Sequence, residues 1–210
     1  WRESAYSLPT NLYYVNDASR NGDLYTRRVG DDKNSGRSPY FPKRTLTNLL
    51  STYDLDPGDT VFIDTATNGH NYGVRIDTND GSGTVSSPIT FLGPTNTAMA
   101  EFRAGSAIRD GFFMTNAVNV SIRALTIRGY TNGIRVVGTS TNNVIRGGTI
   151  RSNNLYGVYL TGTAVDGNRI VSNTIDSGAS GALAYQDRGV YISSGDMNLV
   201  TNNTIRGHSG

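Results

Sequence analysis

The chain has no cysteine, two histidines, one tryptophan and, after Lys43, no lysine. Without cysteine, disulfides contribute nothing to stability, and thiolate nucleophiles and thiolate metal ligands are excluded, although the absence does not fix a compartment. No apolar run approaches the roughly 20 residues of a membrane-spanning helix. The opening WRESAYSLP has neither the basic nor the apolar segment of a signal peptide, so the expectation is a mature, trimmed or excised chain. A net charge of +2 is too small to point to nucleic acid. Apolar residues make up 36% of the 210 residues, low for a compact globule but sufficient for a solenoid whose turns and outer faces are wet.

What is present is a repeat. Glycine, apolar, variable, apolar recurs as GVRI at 73, GFFM at 111, GIRV at 133, GVYL at 157 and GVYI at 189. NVSIRALTIRG from 119 aligns with NNVIRGGTIRS from 142, and the frame returns in NRIVSNTIDS from 168 and NLVTNNTIRG from 198. Thr126, Thr149, Thr174 and Thr204 form one column, each followed by an isoleucine, and Ile122, Ile145, Ile170 and Val200 form a second. Short period-two strands separated by Gly, Asn, Ser and Thr are β-structure. A unit that cannot bury its apolar face alone must stack on the next. These features predict an all-β fold, a parallel β-helix solenoid, with isoleucines inward and Thr126, Arg128, Arg135, Tyr159 and Tyr191 outward.

Residues 1–59 differ from the coils at 60–210. LYYV at 12 to 15 reads as a strand, and GDDKNSGRSP at 30 to 39 as exposed turn. Thr45, Leu46, Leu49, Leu50 and Tyr53 predict a short amphipathic helix from about Pro42 to Tyr53 that caps the N-terminal end of the solenoid. TVFID at 60 to 64 opens the first coil.

YYV, GDDKNSGRSP, PKRTLTNLL and LDPGDTVFID, together with the NxxI and NxTI coils, resemble right-handed parallel β-helix proteins of the pectate-lyase-like superfamily. The similarity is greatest to β-helix modules of large bacterial secreted or surface proteins. It implies the fold over nearly the whole chain and a secreted or cell-surface location. It leaves function open, because polysaccharide lyases, glycoside hydrolases, phage tailspikes and structural surface modules share the architecture.

For lyases, the resemblance implies a base beside a uronate and calcium held by acids; this sequence has no motif specific for calcium, and no other cofactor is expected. Inverting hydrolases need paired carboxylates facing one groove. From residue 100 onward the acids are Glu101, Asp110, Asp166, Asp176, Asp187 and Asp196, of which alternation places only Asp176 clearly outward on a strand. Asp166 and Asp196 read as turn carboxylates. Asp187 and Arg188 are the best local pair for catalysis, with a turn salt bridge as the simpler reading. His70 and His208 read as solvated loop residues.

Binding has more to work with. Arg75, Phe113, Arg135, Tyr159 and Tyr191 share one outward column, where aromatic faces beside guanidinium groups suit sugar rings and their anionic substituents. A stack that stabilises the sheet against itself is the simpler alternative. Arg128, Arg151, Asp176 and Arg206 form a second column, whose adjacent arginines repel unless something anionic lies across them. Asn119, Asn142 or Asn143, Asn168 and Asn198 predict an inward asparagine ladder. The threonine column is followed by Arg or Asp rather than a second Thr, and so does not fit an ice-binding array.

The reading is an extracellular structural or adhesive β-helix module with glycan contact through Arg135, Tyr159, Tyr191, Phe113, Arg128 and Arg151. The alternative is a lyase or hydrolase acting on an acidic polysaccharide. Because no cap resembling residues 42–53 recurs near Gly210, that end is expected to continue or to pack end-to-end or side-to-side on another subunit or domain.

Overall fold

The computed structural model describes residues 11–95, 99–105, 110–178 and 186–208. The N-terminal part contributes β1 (Leu12–Val15) and α1 (Leu46–Leu50), followed by β2 (Thr60–Ile63), β3 (Val74–Ile76) and β4 (Ile89–Leu92). The coils continue with β5 (Ala100–Arg103), β6 (Asp110–Thr115), β7 (Val120–Arg123), β8 (Leu125–Arg128) and β9 (Asn132–Val137). Next come β10 (Val144–Arg146), β11 (Thr149–Arg151), β12 (Tyr156–Thr161) and β13 (Arg169–Val171). The described strands end with β14 (Thr174–Asp176), β15 (Arg188–Ile192), β16 (Leu199–Thr201) and β17 (Thr204–Arg206).

Every paired strand is parallel to its neighbour, and each coil visits three sheets in turn. The first sheet runs β1-β2-β4-β7-β10-β13-β16, the second β5-β8-β11-β14-β17 and the third β3-β6-β9-β12-β15. The expected registers hold: Ile122, Ile145, Ile170 and Val200 are direct partners, as are Thr126, Thr149, Thr174 and Thr204. The inward isoleucines, with Phe91, Phe102 and Phe112, form a core that is dry along the coils. At the last coil Ile192, Leu199, Val200 and Ile205 are exposed.

Corners between the first and second sheets are single left-handed residues: Ala124 (φ 51°), Gly147 (65°), Ser172 (56°) and Asn202 (55°). A non-glycine residue there costs about 1–2 kcal/mol. The stacked strands on either side compensate, because a one-residue corner leaves no other path between two in-register sheets.

Asparagines line two corners. Asn143 donates from Nδ2 to Oδ1 of Asn168 (3.0 Å), and Asn168 to Oδ1 of Asn198 (3.1 Å), so Asn143 rather than Asn142 carries the expected ladder. Asn119 sits one residue out of that column and donates to the Gly83 carbonyl instead. A second ladder, Asn173 to Asn203 (3.0 Å), follows the left-handed corner.

The N-terminal region departs from expectation in two ways. The helix has five residues, with Thr45 as its N-cap accepting from the Asn48 amide, and does not span 42–53. Pro42 lies outside it because Lys43 is drawn into a parallel bridge with Val15. Leu46, Leu49 and Leu50 still bury their side chains, and the helix packs against β3. β1 pairs with β2 in register Leu12 to Thr60, so the first sheet runs across residue 59. The loop between them is fastened by the buried Asp64 carboxylate, which accepts from the Leu24, Tyr25 and Thr26 amides and the Thr26 hydroxyl.

Candidate functional site

The outward face of the third sheet gathers the expected column. Arg75, Phe113, Arg135, Tyr159 and Tyr191 are successive partners on β3, β6, β9, β12 and β15. Parallel pairing in register brings each side chain within about 4.8 Å of the next along the axis, which forces contact. Phe113 is held between two guanidinium groups, Arg75 at 5.3 Å and Arg135 at 4.6 Å from the ring centroid. Tyr159 and Tyr191 stack at 5.3 Å with an interplanar angle of 14°. Tyr156, which alternation points to the same side, completes a triangle at 4.8 and 5.1 Å. Hydrogen bonds from Thr161 and Ser193 stabilise the phenolate form of Tyr159 and lower its pKa.

Arg188 lies over the Tyr191 ring at 4.5 Å. The salt bridge expected between Asp187 and Arg188 is not made: the guanidinium takes the aromatic face, and Asp187 is exposed.

Two carboxylates were not expected on these faces. Asp110 and Glu101 both stand outward on strands, in β6 and β5. Asp110 lies 3.1 Å from Arg135 and accepts from Asn132. Glu101 meets Arg128 at 2.8 Å and Arg151 at 3.8 Å. Asp176 pairs with Arg206 at 2.7 Å, and its pKa is lowered first by the Gly178 amide and then by that arginine. These outward acids are held ionised by arginines, whereas a general acid needs its carboxyl pushed up. Asp166 is a turn carboxylate, as expected, accepting from the Asp196 amide.

Neither histidine is solvated. His70 is 3% exposed, because it takes the place of a strand in the second sheet of the first coil, bridged to Phe102. It therefore heads the inward column that continues through Phe102 and Ile127. Nε2 donates to the Asp64 carbonyl (3.1 Å), which fixes the tautomer, and Nδ1 faces the Tyr72 hydroxyl (3.4 Å). Burial lowers its pKa. Half-buried His208 ends a corner column of Tyr130, Asn153, Gln186 and itself, accepting from Gln186 Nε2 at 2.9 Å.

The soft-metal donors are scattered. His70 is occupied and buried, and Met114 is fully buried in the core. Met99 and Met197 lie in turns before β5 and β16. Among the described residues no three His, Cys, Asp or Glu side chains are grouped to hold a metal. The donor set does not fit a copper centre, which prefers thiolate, thioether and imidazole ligands brought together.

Among solved structures the chain is similar to pectate lyase Pel9A, with a TM-score of 0.60 at 14% identity over 92% of this chain and 48% of that one. It is also similar to the GH136 lacto-N-biosidase from Eubacterium ramulus, with a TM-score of 0.55 at 13% identity over 93% of this chain and 41% of that one. The chain thus spans less than half of each, and at such identity the likeness is one of fold: a right-handed parallel β-helix. No match was found among curated proteins. Residues 55–210 match the family described as periplasmic copper-binding protein (NosD), and the chain belongs to that family.

Proposed function

We propose that this chain is a non-catalytic β-helix module working outside the cytoplasm, structural in role, that contacts a polysaccharide along the third sheet. The observation that carries the reading is the cluster of Tyr156, Tyr159 and Tyr191 with Arg188 on the outer face of β12 and β15. Their ring edges and hydroxyls are not used by the core. Amphipathic rings of this kind pack on sugar C–H groups while the hydroxyl and guanidinium bond the substituents. The family's description as periplasmic supports the location, and its two fold neighbours are named as enzymes of polysaccharides or glycans. The copper of the family's description has no fitting donor set among the residues described, so no step is assigned to it.

The alternative, a lyase or hydrolase, draws support from the outward Glu101, Asp110 and Asp176, but each is neutralised by an arginine. A screen against neutral and acidic polysaccharides, reading binding together with new reducing or unsaturated ends, tests both. Turnover abolished by Asp187→Asn or Arg188→Ala would replace the binding reading with the enzymatic one.

A further inference from the structure

Arg123 and Arg146 are direct partners on β7 and β10, stacked with both side chains exposed. Like charges opposed across paired strands destabilise a sheet. Elsewhere the coils remove that cost: Glu101 lies across Arg128 and Arg151, Asp110 on Arg135 and Asp176 on Arg206. Among the described residues neither Arg123 nor Arg146 has a carboxylate partner; Arg123 Nε donates only to the neighbouring Ser121 hydroxyl at 2.9 Å.

The pair borders a cleft of about 290 Å³ at the corner between the first and second sheets. Leu92 and Met99 give it an apolar side, and Ala124 and Gly147 are the left-handed corner residues beneath it. Nothing lies within 4 Å of where a Cβ on Gly147 would stand, so the corner is open. Its volume is near the lower end of small-ligand pockets, which begin around 300 Å³. The cleft lies on a different face from the tyrosine cluster and does not depend on it.

We propose that this cleft binds a phosphate monoester, with the phosphate between the two guanidinium forks and the organic part against Leu92 and Met99. Charge decides among the anions. A phosphate monoester carries about −1.5 to −2 at neutral pH and matches two arginines, whereas a carboxylate carries one charge. The planar forks give the bidentate geometry that phosphate oxygens accept. The ester comes either from a soluble sugar phosphate or from a phosphate-headed lipid.

Calorimetric titration of the full chain with hexose 6-phosphate, inorganic phosphate, free hexose and hexuronate tests this, alongside cosedimentation with phosphatidate vesicles. Binding of the hexose phosphate assigns the soluble source, and cosedimentation the lipid. In either case affinity falls as pH drops below the second phosphate pKa of about 6. Arg123→Gln with Arg146→Gln is expected to weaken binding at least tenfold without lowering the melting temperature, since the double change removes a repulsion. The proposal is overturned if neither ester binds, if hexuronate binds as tightly as hexose phosphate, or if the double variant binds unchanged. Retention of phosphate binding in the Tyr159→Ala, Tyr191→Ala variant separates this site from the polysaccharide face, so either can fail alone.

Discussion

Glu101 Oε2 lies 2.8 Å from Arg128 Nε and 3.8 Å from a terminal nitrogen of Arg151, bridging strands from two successive coils. One carboxylate thus answers the repulsion that two stacked arginines would otherwise carry. It also withdraws both residues from the set available to an anionic glycan, leaving Tyr159, Tyr191 and Arg188 as the main contacts.

Removing that carboxylate should expose the arginines. Glu101→Gln is expected to increase retention of the chain on a sulfonated cation-exchange matrix by more than the same change at the turn residue Asp187. The stability cost should be below about 1 kcal/mol, because these ion pairs are partly solvated and screened. Equal retention shifts for the two variants would show that Glu101 does not hold the arginines.

For the tyrosine face, Tyr159→Ala combined with Tyr191→Ala should abolish most polysaccharide binding while lowering stability by no more than about 1.5 kcal/mol, the worth of one aromatic pair. Affinity electrophoresis and urea unfolding read the two effects separately. A loss of several kcal/mol with binding intact would make the column a structural stack and defeat the polysaccharide reading.

Much of this architecture was legible because the coils repeat. From Thr126 to Thr204 one pattern returns each turn, so inward and outward columns could be assigned by counting. His70 was not legible for the opposite reason: the first coil has a single bridging residue where later coils carry Thr-Ile, and no periodicity marks it. Glu101 and Asp110 escaped because β5 and β6 begin beside turns without the Asn and Thr signature that frames the later strands. The helix was overextended because its apolar spacing reaches Tyr53, while the backbone before Thr45 is claimed by the bridge to β1. Tyr130, Asn153, Gln186 and His208 share a corner but change identity at every coil, which hides a ladder from any search for a repeated residue.

His70 predicts a pH response. Its folded pKa lies below the unfolded value of about 6.5, so protonation favours the unfolded chain. Stability from this group is complete above about pH 6.5 and is lost as pH falls from there toward the folded pKa. Asp64 and Asp17 partly offset the shift, and His208, also lowered by burial, titrates in the same direction. Urea midpoints between pH 7.5 and 5 should therefore fall for the native chain and fall less for His70→Phe, which keeps the stack on Phe102. Identical slopes would mean the imidazole does not titrate on unfolding.

The asparagine ladder should be the costliest polar feature to break. Asn168 is buried, its Oδ1 accepts from the Asn143 amide and side chain, and its Nδ2 reaches the Ser140 carbonyl and Asn198. Asn168→Ala strands these partners away from water, and each unsatisfied buried group costs about 1–3 kcal/mol. A loss of roughly 2–4 kcal/mol in urea unfolding is expected. Asn142→Gly is the matched control, because Asn142 is exposed and left-handed (φ 56°), a conformation glycine adopts freely. It should change stability by less than about 0.5 kcal/mol. If the two variants cost the same, the ladder is not what holds successive coils in register, and the inward isoleucines carry that task alone.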